Sequence, residues 1–157
     1  MKPLNDEVED KSFAEFVRET EPRLREALSA MLGSDVGREA AAEALAYAWE
    51  NWSRVGSMEN PAGYLYVLGR DRGRKSKRRS RVLLLPVDLD RTPWVEPGLP
   101  DAIASLPDRQ RVVVMLLHCF EWTMSEVAEL LGVSKSTVQS YEERGMSRLR
   151  SRLGVML

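Results

Sequence analysis

Residues 124–143 (MSEVAELLGVSKSTVQSYEE) restrict what this chain can fold into more than any other stretch. Thr123 followed by Glu126 is a capping box: the hydroxyl accepts from the N–H three residues on, and the carboxylate reaches back to the threonine N–H. The helix so opened carries Val127, Ala128, Leu130 and Leu131. It is expected to stop at Gly132, where a tight turn needs a residue tolerant of positive φ. Ser134 then caps a second helix, predicted from Lys135 to about Arg152, with Val138, Tyr141 and Leu149 inward. Ala128 is small where two helices would cross, and Val138 stands six residues after the glycine as an apolar anchor. This is the spacing of a helix-turn-helix.

The residues left over on the second helix carry the chemistry. Ser134, Lys135, Ser136, Thr137, Gln139 and Ser140 fall outward near its N-terminus. Short hydroxyl and amide side chains there suit phosphates and the base edges of a major groove, and a helix N-terminus favours a phosphate. Arg144, Arg148, Arg150 and Arg152 extend a cationic flank. The competing readings are an ordinary helical hairpin in a core and a trihelical protein-binding module. The exposed Lys-Ser-Thr-x-Gln-Ser face favours DNA.

Charge along the chain points the same way. The net charge of −1 hides a basic run at 70–81, with eight Lys/Arg against one acidic residue. A second basic stretch, 134–157, has five against two. Eight cations in twelve positions repel one another unless an anion is supplied.

No strand-like alternation of useful length occurs, so the predicted fold is all-α: two small helical domains joined by a linker, the second a helix-turn-helix domain. We read the first domain as 1–81, the linker as 82–100 and the second domain as 101–157. The linker holds four of the eight prolines, and Leu83, Leu84, Leu85 and Trp94 offer apolar footholds along it. In the first domain Phe13, Phe16, Leu24, Leu28, Met31 and Leu32 mark one helix, adjusted at Pro22 and stopped near Gly33. Ala41, Ala44, Leu45, Ala48, Trp49 and Trp52 mark a second, with the tryptophans as core and interface anchors. A third begins at Pro61 and runs through Tyr64, Leu65, Val67 and Leu68 into the arginines. Tyr64 and Tyr66, two apart on a helix, cannot both face inward. The acidic start (Asp6, Glu7, Glu9, Asp10) reads as a solvated tail, and Pro107 as the start of a helix carrying Val112, Val113, Leu116, Leu117 and Phe120.

Composition excludes several classes. One cysteine (Cys119) and one histidine (His118) cannot build a disulfide scaffold or a protein-only His/Cys metal centre. No apolar run reaches the ~20 residues of a membrane span, and the first residues lack a signal-peptide core. No paired nucleophile and base and no phosphate-cradling glycine loop occurs, so no enzyme, cofactor or metal is expected. The expectation is a soluble cytoplasmic protein.

Leu106-Pro107-Asp108-Arg109-Gln110-Arg111-Val112-Val113, then Met115-Leu116-Leu117 and the helix-turn-helix, resembles the C-terminal domain of extracytoplasmic-function (ECF) sigma factors. Phe13 to Leu32 resembles their opening helix, and Ala41 to Trp49 the helix that docks on the core polymerase clamp. Asn60-Pro61-Ala62-Gly63-Tyr64-Leu65-Tyr66, leading into the arginines, resembles the helix that meets the minus-ten promoter element. In the docking helix, Glu39 and Ala42 stand where the family usually has an acidic residue and a glutamine, so the sequence departs at Ala42; in the minus-ten helix it departs at Val67 and Asp71.

The resemblance implies a dissociable specificity subunit of bacterial RNA polymerase, monomeric when free. Its partners would be core polymerase, promoter DNA and an anti-sigma factor, with no membrane insertion. Ser134, Lys135, Ser136, Thr137, Gln139, Ser140, Arg144 and Arg148 would read the minus-thirty-five duplex. Arg54, Ser57, Met58, Asn60, Tyr64, Arg70, Arg72, Arg74, Lys75 and Arg78 would serve the minus-ten element, with Tyr66 beside its base pocket and Lys77 and Arg79 on phosphates. Glu39, Glu43, Tyr47 and Glu50 would face polymerase. Two other readings stay open: a freestanding helix-turn-helix regulator, and a regulatory interaction protein without promoter activity.

Overall fold

The computed structural model describes residues 4–76 and 97–154, which form helices and connecting turns with no strand among them. The all-α reading is therefore correct. In the first half α1 spans Leu4–Leu32, α2 Ser34–Glu50, α3 Trp52–Val55 and α4 Pro61–Ser76. In the second, α5 spans Leu99–Ala104, α6 Asp108–His118, α7 Met124–Leu131 and α8 Lys135–Leu153. The expected linker footholds Leu83, Leu84, Leu85 and Trp94 lie outside the described residues.

Small residues let α1, α2 and α4 approach closely. Ala27 and Ala30 of α1 and Ala40, Ala41, Ala44 and Ala48 of α2 are buried together with Leu24, Leu28 and Leu45. A Cβ on Gly37 would stand 2.5 Å from the Ser29 backbone, so the backbones of α1 and α2 meet where only glycine fits. Gly69 and Gly73 of α4 receive the side chains of Leu28 and Leu32.

Several local expectations are corrected. The acidic start is helical from Leu4 rather than a tail, and α1 runs unbroken through the exposed Pro22. The burial of Leu24, Ala27 and Leu28 just beyond offsets the lost main-chain hydrogen bond. The Ala41–Trp52 pattern is two helices, because the chain turns at Asn51, whose N–H and side-chain amide both donate to the Tyr47 carbonyl at 3.0 Å. The tryptophans pack at an edge instead of in the core. Trp49 is 50% exposed with its ring 4.9 Å from Phe13, and Trp52 lies half-buried against Phe13 and Phe16. Helix α5 begins at Leu99, inside the stretch expected to be linker.

The two halves share one hydrophobic core and a polar seam. Arg111, 5% exposed within the apolar run of α6, donates to the Ala30 carbonyl at 3.0 Å and the Met31 carbonyl at 2.7 Å. It also donates to the Leu106 carbonyl at 3.1 Å and to Asp108 at 2.8 Å. The last carbonyls of a helix have no partner within it, and α1 has no basic residue in its last turn. A guanidinium from the second half fills that role. The Trp122 indole donates to Glu26 at 2.7 Å, Arg23 pairs with Glu126 and lies over the Trp122 ring, and Arg74 stands 3.5 Å from Asp108.

Candidate nucleic-acid interface

The helix-turn-helix forms as its spacing requires. The Thr123 hydroxyl accepts from the Glu126 N–H and the Glu126 carboxylate from the Thr123 N–H, both at 3.1 Å. Those hydrogen bonds, with the neighbouring Arg23, hold the Glu126 carboxyl below its ordinary range. Gly132 adopts φ 67°, turning the chain into Ser134, whose hydroxyl accepts from the Thr137 N–H at 3.1 Å. Val138 is fully buried and Leu149 nearly so, anchoring α8 on the second-half core. Gly145, which the sequence reading passed over, lies against Val114 and lets α8 settle onto α6.

Ser134, Lys135, Ser136, Gln139, Arg144 and Arg148 are exposed, and Thr137 and Ser140 are half-exposed. The first turn of α8 is thus a row of hydroxyls and one ammonium. The Ser134 hydroxyl also lies 3.0 Å from that of Ser136 and 2.8 Å from that of Thr137. Gln139 donates to Glu143 at 3.2 Å, which aims its amide along the helix. His118, on α6, meets Glu142 at 2.9 Å, and burial pushes the neighbouring Cys119 thiol up. Among the described residues no cluster of three or more His, Cys, Asp or Glu side chains is arranged to hold a metal.

The second group gathers where α2, α3 and α4 converge. The Arg54 guanidinium donates to the Tyr47 hydroxyl and lies 5.8 Å from the centres of both the Tyr47 and Tyr64 rings. Arg72 stands 5.4 Å from the Tyr47 ring centre. The two tyrosine hydroxyls are 3.5 Å apart. The hydrogen bonds from Tyr47 and then Arg54 hold the Tyr64 phenol below its ordinary value, while the contact with Tyr64 pushes the Tyr47 phenol up. Ser57 donates to the Arg54 carbonyl at 2.8 Å and closes the loop after α3, with Met58 half-buried beside it.

Not every expected minus-ten residue joins this group. Tyr66 is buried, and desolvation pushes its phenol up to about 12, so it cannot line an open pocket as expected. The Asn60 amide donates to the Glu129 carbonyl at 2.7 Å, and its oxygen caps α4 through the Gly63 N–H at 3.0 Å. Its side chain is thereby occupied by the other half of the chain. Arg70 pairs with Asp71 at 3.2 Å and Arg74 with Asp108, whereas Lys75 is exposed. Lys77, Arg78 and Arg79 lie outside the described residues.

On α2, Glu39, Glu43 and Glu50 are exposed and share one face with Ala42 and Ala46. Tyr47 borders that face beside Glu43, with its side chain against Tyr64 and Arg72 of α4. Sequence spacing gave no sign of this, nor of the roles of Arg111 and Trp122 in the seam. A single arginine inside the run Val112–Leu116 was the available hint for Arg111, since a buried guanidinium requires acceptors.

Residues 98–149 match the family "Sigma-70, region 4". The RNA polymerase sigma factor FliA of Pseudomonas aeruginosa is 45% identical over 56 residues, covering 36% of this chain and 23% of that protein. The FliA of Salmonella typhimurium is 37% identical over 54 residues, covering 34% and 23%. The chain thus matches under a quarter of the length of these curated relatives. The sigma factor RpoE from Bartonella quintana, solved in complex with the anti-sigma factor NepR, superposes with a TM-score of 0.61 at 19% identity. That alignment covers 94% of this chain and 99% of that one. Residues 98–149, the helix-turn-helix half, thus match a sigma-70 region 4 domain, and the chain as a whole shares its fold with that RpoE structure.

Proposed function

We propose that the protein is an ECF-type sigma factor, a dissociable subunit of bacterial RNA polymerase that directs promoter recognition and DNA opening. The observation that carries this reading is the exposed Ser134–Ser140 face, presented at the start of α8 by a capped helix-turn-helix inside the region 4 match. Hydroxyls, an amide and a helix N-terminus together contact phosphates and base edges, and Arg144 and Arg148 extend the phosphate track. In the first half, Arg54, Tyr64 and Arg72 supply cations and aromatic faces for unpaired minus-ten bases. The exposed acidic face of α2 (Glu39, Glu43, Glu50) serves as the polymerase contact.

An anti-sigma factor is the further partner. The seam between the halves holds a cleft of about 380 Å3 lined by Glu19, Arg23, Asn60, Trp122, Glu126 and Glu129, where a partner segment would exchange for internal contacts. Because its side chain is held there, Asn60 itself meets DNA only once the halves part.

The test adds purified protein to bacterial core polymerase with a promoter-library pool and sequences the transcript starts. Initiation from a shared two-element motif is expected. Tight duplex binding by the protein alone, without initiation, would instead establish a freestanding regulator.

A further inference from the structure

Tyr47 lies on the helix whose outer face is proposed to meet polymerase, at the border of that face, and its side chain is directed to α3 and α4. At 100° per residue, Glu39, Glu43, Ala46 and Glu50 fall within about 60° of one another around α2, while Tyr47 stands about 40° beyond Glu43 and about 60° from Glu50. That places it on the edge next to α4. There its hydroxyl takes the Arg54 guanidinium, its ring carries Arg72, and the Tyr64 hydroxyl stands 3.5 Å away. One residue therefore ties together three side chains from α3 and α4.

The chemistry of the cluster selects its ligand. Neither Arg54 nor Arg72 has a carboxylate partner among the described residues, although Arg70 and Arg74, on the same helix as Arg72, do. Two exposed guanidiniums within 6 Å of tyrosine ring centres offer planar groups for stacking and N–H donors for an anion. Single-stranded DNA supplies both needs, a base and its phosphate, at every step of its backbone. An acidic peptide supplies charge but no planar group for each charge.

We infer that Tyr47 is a positioning residue of the site for unpaired DNA, holding Arg54 beside Tyr64 and Arg72 over its own ring, and is not a polymerase contact. This rests on the sigma-factor reading above. A strand arriving at the cluster takes the two guanidiniums through its phosphates and stacks a base on the tyrosine face they uncover. The ring of Tyr47 supports Arg72, and its hydroxyl keeps Arg54 in reach.

The experiment uses the full chain assembled with bacterial core polymerase. It compares wild type, Tyr47→Ala and Tyr47→Phe for affinity to core and for holoenzyme affinity to a fluorescent single-stranded oligonucleotide. That oligonucleotide carries the minus-ten sequence found by transcript-start mapping. Tyr47→Ala is expected to weaken oligonucleotide binding roughly tenfold and to flatten its salt dependence, with core affinity within about twofold of wild type. Tyr47→Phe keeps the ring and loses only the hydroxyl, so about a threefold loss is expected. It also serves as the reading should Tyr47→Ala fold poorly by circular dichroism. A loss of core affinity with unchanged oligonucleotide binding would make Tyr47 a polymerase contact and overturn the inference, as would no change in either. If wild-type protein neither binds core nor initiates, the sigma-factor reading itself falls and the role of Tyr47 falls with it. That outcome is distinct from either variant result.

Discussion

Replacing Arg111 by methionine is the sharpest test of how the two halves are held. The guanidinium donates to three main-chain carbonyls, of Ala30, Met31 and Leu106, and to the Asp108 carboxylate. Methionine matches much of its volume but has no donor. Two of these carbonyls end α1, and the Gly33 N–H is already committed to the Ser29 carbonyl at 2.9 Å. A hydrogen bond to a charged group contributes about 1.5–3 kcal/mol, and a buried acceptor left unpaired costs about 1–3 kcal/mol. Removing the guanidinium also relieves the desolvation of a charge, which offsets part of the loss. We expect a net destabilisation of about 3 kcal/mol. For a chain of this size that is a fall in Tm of about 6–12 °C. Arg111→Lys keeps the charge but not the planar fork, so an intermediate fall is expected. The assay is thermal unfolding followed by circular dichroism at several scan rates. A Tm for Arg111→Met within about 2 °C of wild type would refute the account of α1 capped from the other half.

Other perturbations follow from single contacts. Gly37→Ala places a methyl 2.5 Å from the Ser29 backbone, so α1 and α2 must separate; a loss of about 2–3 kcal/mol by urea unfolding is expected, and a neutral result would mean the helices slide freely. Thr123→Ala removes the N-cap of α7 and should lower stability by about 1 kcal/mol in the same assay, with Thr123→Ser close to wild type. The Tyr66 phenol is raised to about 12 in the folded chain, against about 10 unfolded. The folded state thus favours the neutral phenol, and its contribution is present below pH 10 and lost as pH rises toward 12. Tyr66→Phe should flatten the fall of Tm across that window, and superimposable pH curves would exclude the assignment.

What the residues alone determined is what adjacent positions on one helix decide. The capping box at Thr123–Glu126, the left-handed Gly132 and the buried Val138 all act over three to six residues, so their spacing carries the helix-turn-helix without reference to the rest of the chain. The same holds for the start of α4 at Pro61 and for the outward row Ser134 to Ser140. The turn at Asn51 was less legible, because the Ala41–Trp52 period continues across it and the break rests on one asparagine bonding backward.

The tertiary structure decided whatever depends on residues far apart in the chain. Arg111 finds its acceptors some 80 positions away, at the end of α1. The Asn60 amide finds the Glu129 carbonyl, and Tyr47, at the border of the acidic face of α2, finds arginines on α3 and α4. A helical period states which side of a helix faces inward, but the partner across each edge depends on how that helix is packed. Buried polar groups then settle with whichever donors and acceptors the packing brings within reach, since leaving them unpaired costs more than almost any local preference supplies.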